Sequence, residues 1–182
     1  HLAEAFWARR GDFVTELVPP DEAVQRALAR ESGTVVLCDS ADATTSGSTG
    51  DSTEILGALL RASPISEIAL VNVVDPAVVA KAIEAGIGAT ISVDVGGSIA
   101  PRHFKPVAFE GHVKTLSDGR FTFRGPGMRG VEHAMGRTAV LHHGGIHLVV
   151  MERAVSQWDP QLYRSLGEEP ADARIVQVKS PM

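Results

Sequence analysis

Cysteine is almost missing. The chain of 182 residues carries one, Cys38, so neither an intrachain disulfide nor a CxxC metal knuckle can form. A reducing, cytoplasmic setting is the expectation, with Cys38 a small core residue inside the apolar run "TVVLCD", since free cysteine is among the most buried residue types. Long apolar runs are missing too: none approaches the roughly 20 residues a membrane span needs, and "HLAEAFWARRGDF" lacks the apolar stretch of a signal peptide. Positive charge is in short supply, with a net charge of -5 and a pI near 5.8. That balance argues against a nucleic-acid footprint, which requires clustered Lys and Arg.

What remains, 44% hydrophobic and 21% charged residues, suits one globular domain or two small lobes sharing a core. Leu2, Phe6, Phe13 and Leu17 recur at roughly helical spacing, with no cap and no initiator Met ahead of them, so the chain reads as a fragment or a domain of something longer. Pro19-Pro20-Asp21 restarts a second helix with Val24, Ala27 and Leu28 inward. "TVVLCD", "IALVNVV" and "ATISVDV" are short and β-branched, as strands covered on both faces are. Two helical patterns separate them, the second bounded by Asp75, Pro76 and Gly86. After Gly96-Gly97 the pattern changes to hairpins around Ser117-Asp118-Gly119 and Gly144-Gly145, then a helical turn "DPQLYRSLG" and a last strand "ARIVQVKS". The fold class expected is α/β: a β-α-β-α-β parallel or mixed sheet over 34–97, antiparallel hairpins over 105–180, and short helices within 1–30.

The loop "DSADATTSGSTGDSTEI" leads from a strand to a helix. Such a place offers free amides and a helix dipole to an anion, but the P-loop spacing is missing, Asp51 follows Gly50 where Lys would stand, and GxGxxG is missing as well. Asp39, Asp42 and Asp51 could face a hard cation, although their spacing matches no EF-hand loop. Asp51, with Glu54 three residues on, reads best as a capping box, a structural cap. "HHGGIH" could bring His142 or His143 near His147 across a hairpin; a solvated hairpin end is the stronger reading. His103, His112 and His133 are scattered, and neither HExxH nor a GxSxG elbow occurs. "RGPGMR" could clamp a carboxylate through Arg124 and Arg129 or be an ordinary connector. Lys179-Ser180 ends the last strand, where polar groups often face a cleft.

The ordered strings "LCDSADATTSGSTGDSTEIL", "DPAVVAKAIEAGIGATISVDVGG", "VKTLSDGRFTFRGP", "MGRTAVLHHGGIHLVVMER", "QWDPQLYRSLG" and "ARIVQVKS" resemble the C-terminal domain of the MlrC (microcystinase C) family of zinc metallopeptidases, over nearly the whole chain. The resemblance implies a metal-dependent peptidase or amidohydrolase whose zinc ligands and catalytic groups belong to a larger N-terminal domain. It therefore implies no catalytic residue and no bound metal in this chain alone. The partners it implies are that catalytic domain and a small peptide-like substrate. Asp39, Asp42, Gly47, Gly50, Lys179 and Ser180 are the positions where this domain could face the other's cleft. Relatives look like "NPGGG" in the loop where this chain has "ATTSGSTGD", so microcystin-derived peptides are not assumed as substrate. Two other readings stay open: an independent module for a small anion or carboxylate, and a structural domain that forms a homo-oligomer.

Overall fold

The computed structural model describes residues 1–13 and 16–181. Helix α1 (Leu2–Ala8) ends at Arg9 and passes into a short 3-10 turn at Arg10–Phe13. The expected continuous helix is therefore broken, with Phe6 and Phe13 stacked at 5.4 Å; its stretch across 14 and 15 lies outside the described residues. Helix α2 (Pro20–Leu28) begins on proline, whose fixed φ suits a first turn. Strand β1 (Val35–Cys38), helix α3 (Glu54–Ala62), strand β2 (Ala69–Val74), helix α4 (Pro76–Ala85) and strand β3 (Thr90–Val95) follow. Asp75 caps α4 as expected, accepting from the Ala77 and Val78 amides at 3.1 and 3.2 Å. Then come β4 (Val107–Ser117), β5 (Arg120–Thr122), β6 (Glu132–Ala134), β7 (Thr138–His143), β8 (Ile146–Met151), α5 (Gln161–Arg164) and β9 (Ile175–Val178).

Seven strands form one mixed sheet in the order β1-β9-β2-β8-β7-β4-β3, and β5 pairs with β6 apart from it. The last strand, β9, lies parallel between β1 and β2. β2 also runs parallel to β8, while β8-β7-β4-β3 are antiparallel. Every residue of β2 is buried, as the continuous apolar run requires. β1 and β3 are edge strands with alternating burial, not strands covered on both faces. Edge position also exposes Cys38, which is not a core residue; Val36 is 57% exposed on the same strand.

The hairpin around Gly144-Gly145 forms as expected between β7 and β8. The one expected around Ser117-Asp118-Gly119 does not, because β4 pairs with β3 and β7 while β5 leaves the sheet for β6. Gly119 turns the chain there at φ 68°, and a Cβ on it would lie 2.1 Å from the Gly136 carbonyl oxygen.

Alternation along the central strands sends two sets of side chains to opposite faces. Val71, Val73, Leu148 and Val150 pack under α2, α3 and α4 with Val24, Leu56, Leu59 and Val79. Leu70, Val149 and Met151 pack on the other face with Phe121, Phe123, Met135, Leu162 and Tyr163. Asn72, fully buried on β2, is held there by Gln157 at 3.0 Å and by the Tyr163 hydroxyl at 2.9 Å. Removing side-chain volume from such a core costs transfer energy and leaves a cavity. Leu148→Ala is expected to lose about 2–5 kcal/mol in urea unfolding, whereas Val36→Thr at the exposed edge is expected to stay within roughly 0.5 kcal/mol.

Candidate functional site

The loop that follows β1 lies at the carboxyl edge of the parallel strands, the edge where α/β sheets gather ligands. Its centre is Asp42, fully buried. One carboxylate oxygen accepts from the Ser48 hydroxyl at 2.6 Å and the Gly50 amide at 2.8 Å; the other accepts from the Ser52 amide and the Lys179 ammonium, both at 2.8 Å. Lys179, also fully buried, donates further to the Ser52 carbonyl at 2.9 Å and to Asp39 at 3.3 Å. Burial alone would push the Asp42 carboxyl up. The Lys179 ammonium and the Ser48 and Ser52 donors outweigh it and hold the group below the usual aspartate range. A lysine enclosed by two carboxylates and a carbonyl is how a buried charge is tolerated.

Asp51 does not cap α3. The residue before that helix is Thr53, which makes no side-chain cap bond. The Asp51 carboxylate instead accepts from the Ile99 and Ala100 amides, each at 2.8 Å, and so ties the segment after β3 to the loop. Gly50 fixes the other side: its φ is +80°, and a Cβ there would lie 2.7 Å from Val74 Cγ2. Gly47 turns at φ 91° with open space around it. Asp39 and Ser180 are nearly buried beside Lys179. Thus Asp39, Asp42 and Lys179 come together, Gly50 sits against them, and Ser180 follows in the chain.

This arrangement limits the chemistry. The Gly50, Ser52, Ile99 and Ala100 amides, which an anion would need, already serve the protein's own carboxylates. The three aspartates do not fit a metal ion, because a lysine ammonium sits between two of them and the third is spent on two backbone amides and the Thr49 hydroxyl. Beside the loop a groove of about 850 Å³ opens between α2, α3 and β1, with Ala27, Leu37, Asp39, Ser52, Ile55 and Phe104 on its walls. Arg124 and Arg129 are exposed; the Arg124 and Gly125 amides are pinned by Asp159 at 2.8 and 2.6 Å.

The histidine hairpin is not a solvated end. His142 and His147 are cross-strand partners with rings stacked at 3.5 Å. Both meet Glu168, at 2.9 and 2.7 Å, and the three side chains are 17%, 13% and 7% exposed. Burial would raise the Glu168 carboxyl, but the two imidazole bonds and their charge bring it down to about 2. Glu168 lies 21 residues beyond His147, with no motif to announce it.

A mixed α/β domain with a lysine-locked loop at its parallel edge, and no catalytic constellation assembled in that loop, is the class these features define. The family model described as "MlrC C-terminus" matches residues 37–182. The chain belongs to that family. It is 29% identical to Microcystinase C from Sphingomonas sp. over 157 residues, which are 86% of this chain and 30% of that protein. A solved structure of a provisionally named metallopeptidase from Mesorhizobium sp. BNC1 superposes with a TM-score of 0.89 at 31% identity, covering 98% of this chain and 36% of that one. The chain thus spans about a third of the length of these relatives. Among the described residues no helix is long and apolar enough to cross a membrane.

Two outcomes test the loop. Lys179→Met strands the Asp42 and Asp39 carboxylates and is expected to cost about 3–5 kcal/mol in denaturant unfolding; a double-mutant cycle with Asp42→Asn should return a coupling on the order of 1–3 kcal/mol. Because the Asp42 carboxyl is lower folded than unfolded, its contribution is fully present above the unfolded value of about 3.9 and is lost as pH falls through the folded value. Thermal melts of the wild type should therefore fall steeply below about pH 4, and Asp42→Asn should give a lower but flatter profile.

Proposed function

We propose that this chain is the C-terminal domain of an MlrC-like, metal-dependent peptidase or amidohydrolase, and that it forms one wall of the substrate cleft against an N-terminal zinc domain. The observation that carries the reading is the coverage: a family C-terminal match on a chain that spans 30% and 36% of two longer relatives. The surface supports it. Phe6, Trp7, Phe13 and Leu17 are each at least 60% exposed in the N-terminal segment, with Phe6 stacked on Phe13, apolar surface of the kind that another domain covers. The groove between α2, α3 and β1 opens beside the loop, with Leu17 also on its wall.

In this reading the zinc ligands and catalytic groups reside on the N-terminal domain, consistent with carboxylates in the loop that are spent on Lys179 and on backbone amides. Asp39, Gly47, Gly50 and Ser180 shape the wall that a small peptide-like substrate meets. Asp42 and Lys179 act beneath it as positioning residues, since neither has exposed surface. Zinc on the partner domain would polarise the scissile carbonyl and lower the pKa of a bound water. The exposed Cys38 thiol suits a reducing cytoplasm.

The chelator-stripped chain of 182 residues, reloaded with zinc, is expected to hydrolyse a peptide panel no faster than solvent background. The longer protein that includes an N-terminal segment is expected to hydrolyse members of the panel, with Asp39→Ala or Ser180→Ala lowering kcat/KM about tenfold, as the loss of one positioning hydrogen bond does. Zinc-dependent turnover by the isolated chain would overturn the domain assignment. Inactivity of the longer protein on every peptide would overturn the substrate class.

A further inference from the structure

We propose that His142, His147 and Glu168 bind one divalent transition-metal cation of the zinc class, at a site separate from the loop around Lys179. The two places are at opposite edges of the sheet. Gly50 meets the carboxyl end of β2 through the Val74 amide at 2.9 Å, whereas His147 pairs with Leu70 near the amino ends of β8 and β2.

The donor set is two imidazole nitrogens and one carboxylate, a combination found in catalytic zinc sites with a fourth position left to water or an external ligand. Imidazole donors select zinc and its neighbours over magnesium and calcium. His142 presents Nε2, His147 presents Nδ1 and Glu168 presents one oxygen to each. One ligand atom from each of the three lies within 4.8 Å of the others. A tetrahedral ion with bonds of about 2.0–2.1 Å needs ligand atoms roughly 3.3 Å apart. The present 2.9 and 2.7 Å contacts run to different Glu168 oxygens and would open by about half an ångström, with all three ligand atoms already within 4.8 Å of one another.

Preorganisation favours binding. His142 and His147 are in register on strands fixed by β4 and β2 at either side. The turn between them is tied down at Gly145, whose amide donates to the Ile65 carbonyl at 3.1 Å and whose carbonyl accepts from the Ala69 amide at 2.8 Å. Glu168 is anchored through its amide to the carbonyl of the buried Tyr163 at 3.2 Å. Glu168 is nearly buried, and a cation held between it and the two imidazoles would pair its charge. Ligation needs an unprotonated Nε2 on His142 and an unprotonated Nδ1 on His147, so any proton on those atoms moves to the other ring nitrogen or to solvent. The competing arrangement is a plain hydrogen-bonded triad that staples the segment after α5 to the sheet.

Untagged chain, stripped with chelator, is titrated with Zn²⁺ by calorimetry and with Co²⁺ by visible absorption. The expected result is one ion per chain at micromolar or tighter affinity, a tetrahedral Co²⁺ spectrum, and shifts of the His142 and His147 ring nitrogens in NMR. His147→Gln and Glu168→Gln should each weaken Zn²⁺ by at least about tenfold, while His103→Ala leaves it unchanged. Lack of stoichiometric binding by the wild type, or equal affinity in all variants, would overturn the proposal and leave the hydrogen-bonded triad. The wild-type titration decides the matter even where a variant fails to fold.

Discussion

The ammonium of Lys179 is the point on which the parallel edge of the sheet turns. It is fully buried, and burying a charge that has no partner is prohibitive. Everything near it is arranged to avoid that cost: Asp42 at 2.8 Å, the Ser52 carbonyl at 2.9 Å and Asp39 at 3.3 Å. Asp42 in turn uses its remaining capacity on Ser48 and on the Gly50 and Ser52 amides. One ion pair therefore sets the path of the chain between β1 and α3.

The topology and this pair depend on each other. Lys179 stands just beyond β9, and β9 lies between β1 and β2. Insertion of the last strand brings a lysine near the end of the sequence to an aspartate 137 positions earlier. Asp51 then extends the same order to the segment after β3 through Ile99 and Ala100. The loop beside the groove is consequently held at both ends by buried hydrogen bonds, and a fixed scaffold under a loop can position binding groups.

Local grammar was legible in the sequence. Asp75, Pro76 and Gly86 bound α4, and Gly144-Gly145 closes the β7–β8 hairpin, because each signal acts within a few residues. The resemblance in the ordered strings pointed to the family that the chain proves to belong to. Strand order was not legible, since pairing of β9 with β1 and β2 is a contact across the whole chain. Asp51 looked like a cap because the backbone amides that it serves are 48 and 49 residues away. Cys38 looked buried until β1 proved to be an edge, and Glu168 had no sequence neighbour to tie it to the histidines.

The Asp42–Lys179 pair keeps the loop preformed. Native-state hydrogen exchange on the wild type and Lys179→Met reads this directly. Protection is expected to be lost first at the Gly50, Ser52, Ile99 and Ala100 amides of the variant, while β2 and β8 keep theirs. Equal protection of those four amides in both proteins would contradict it.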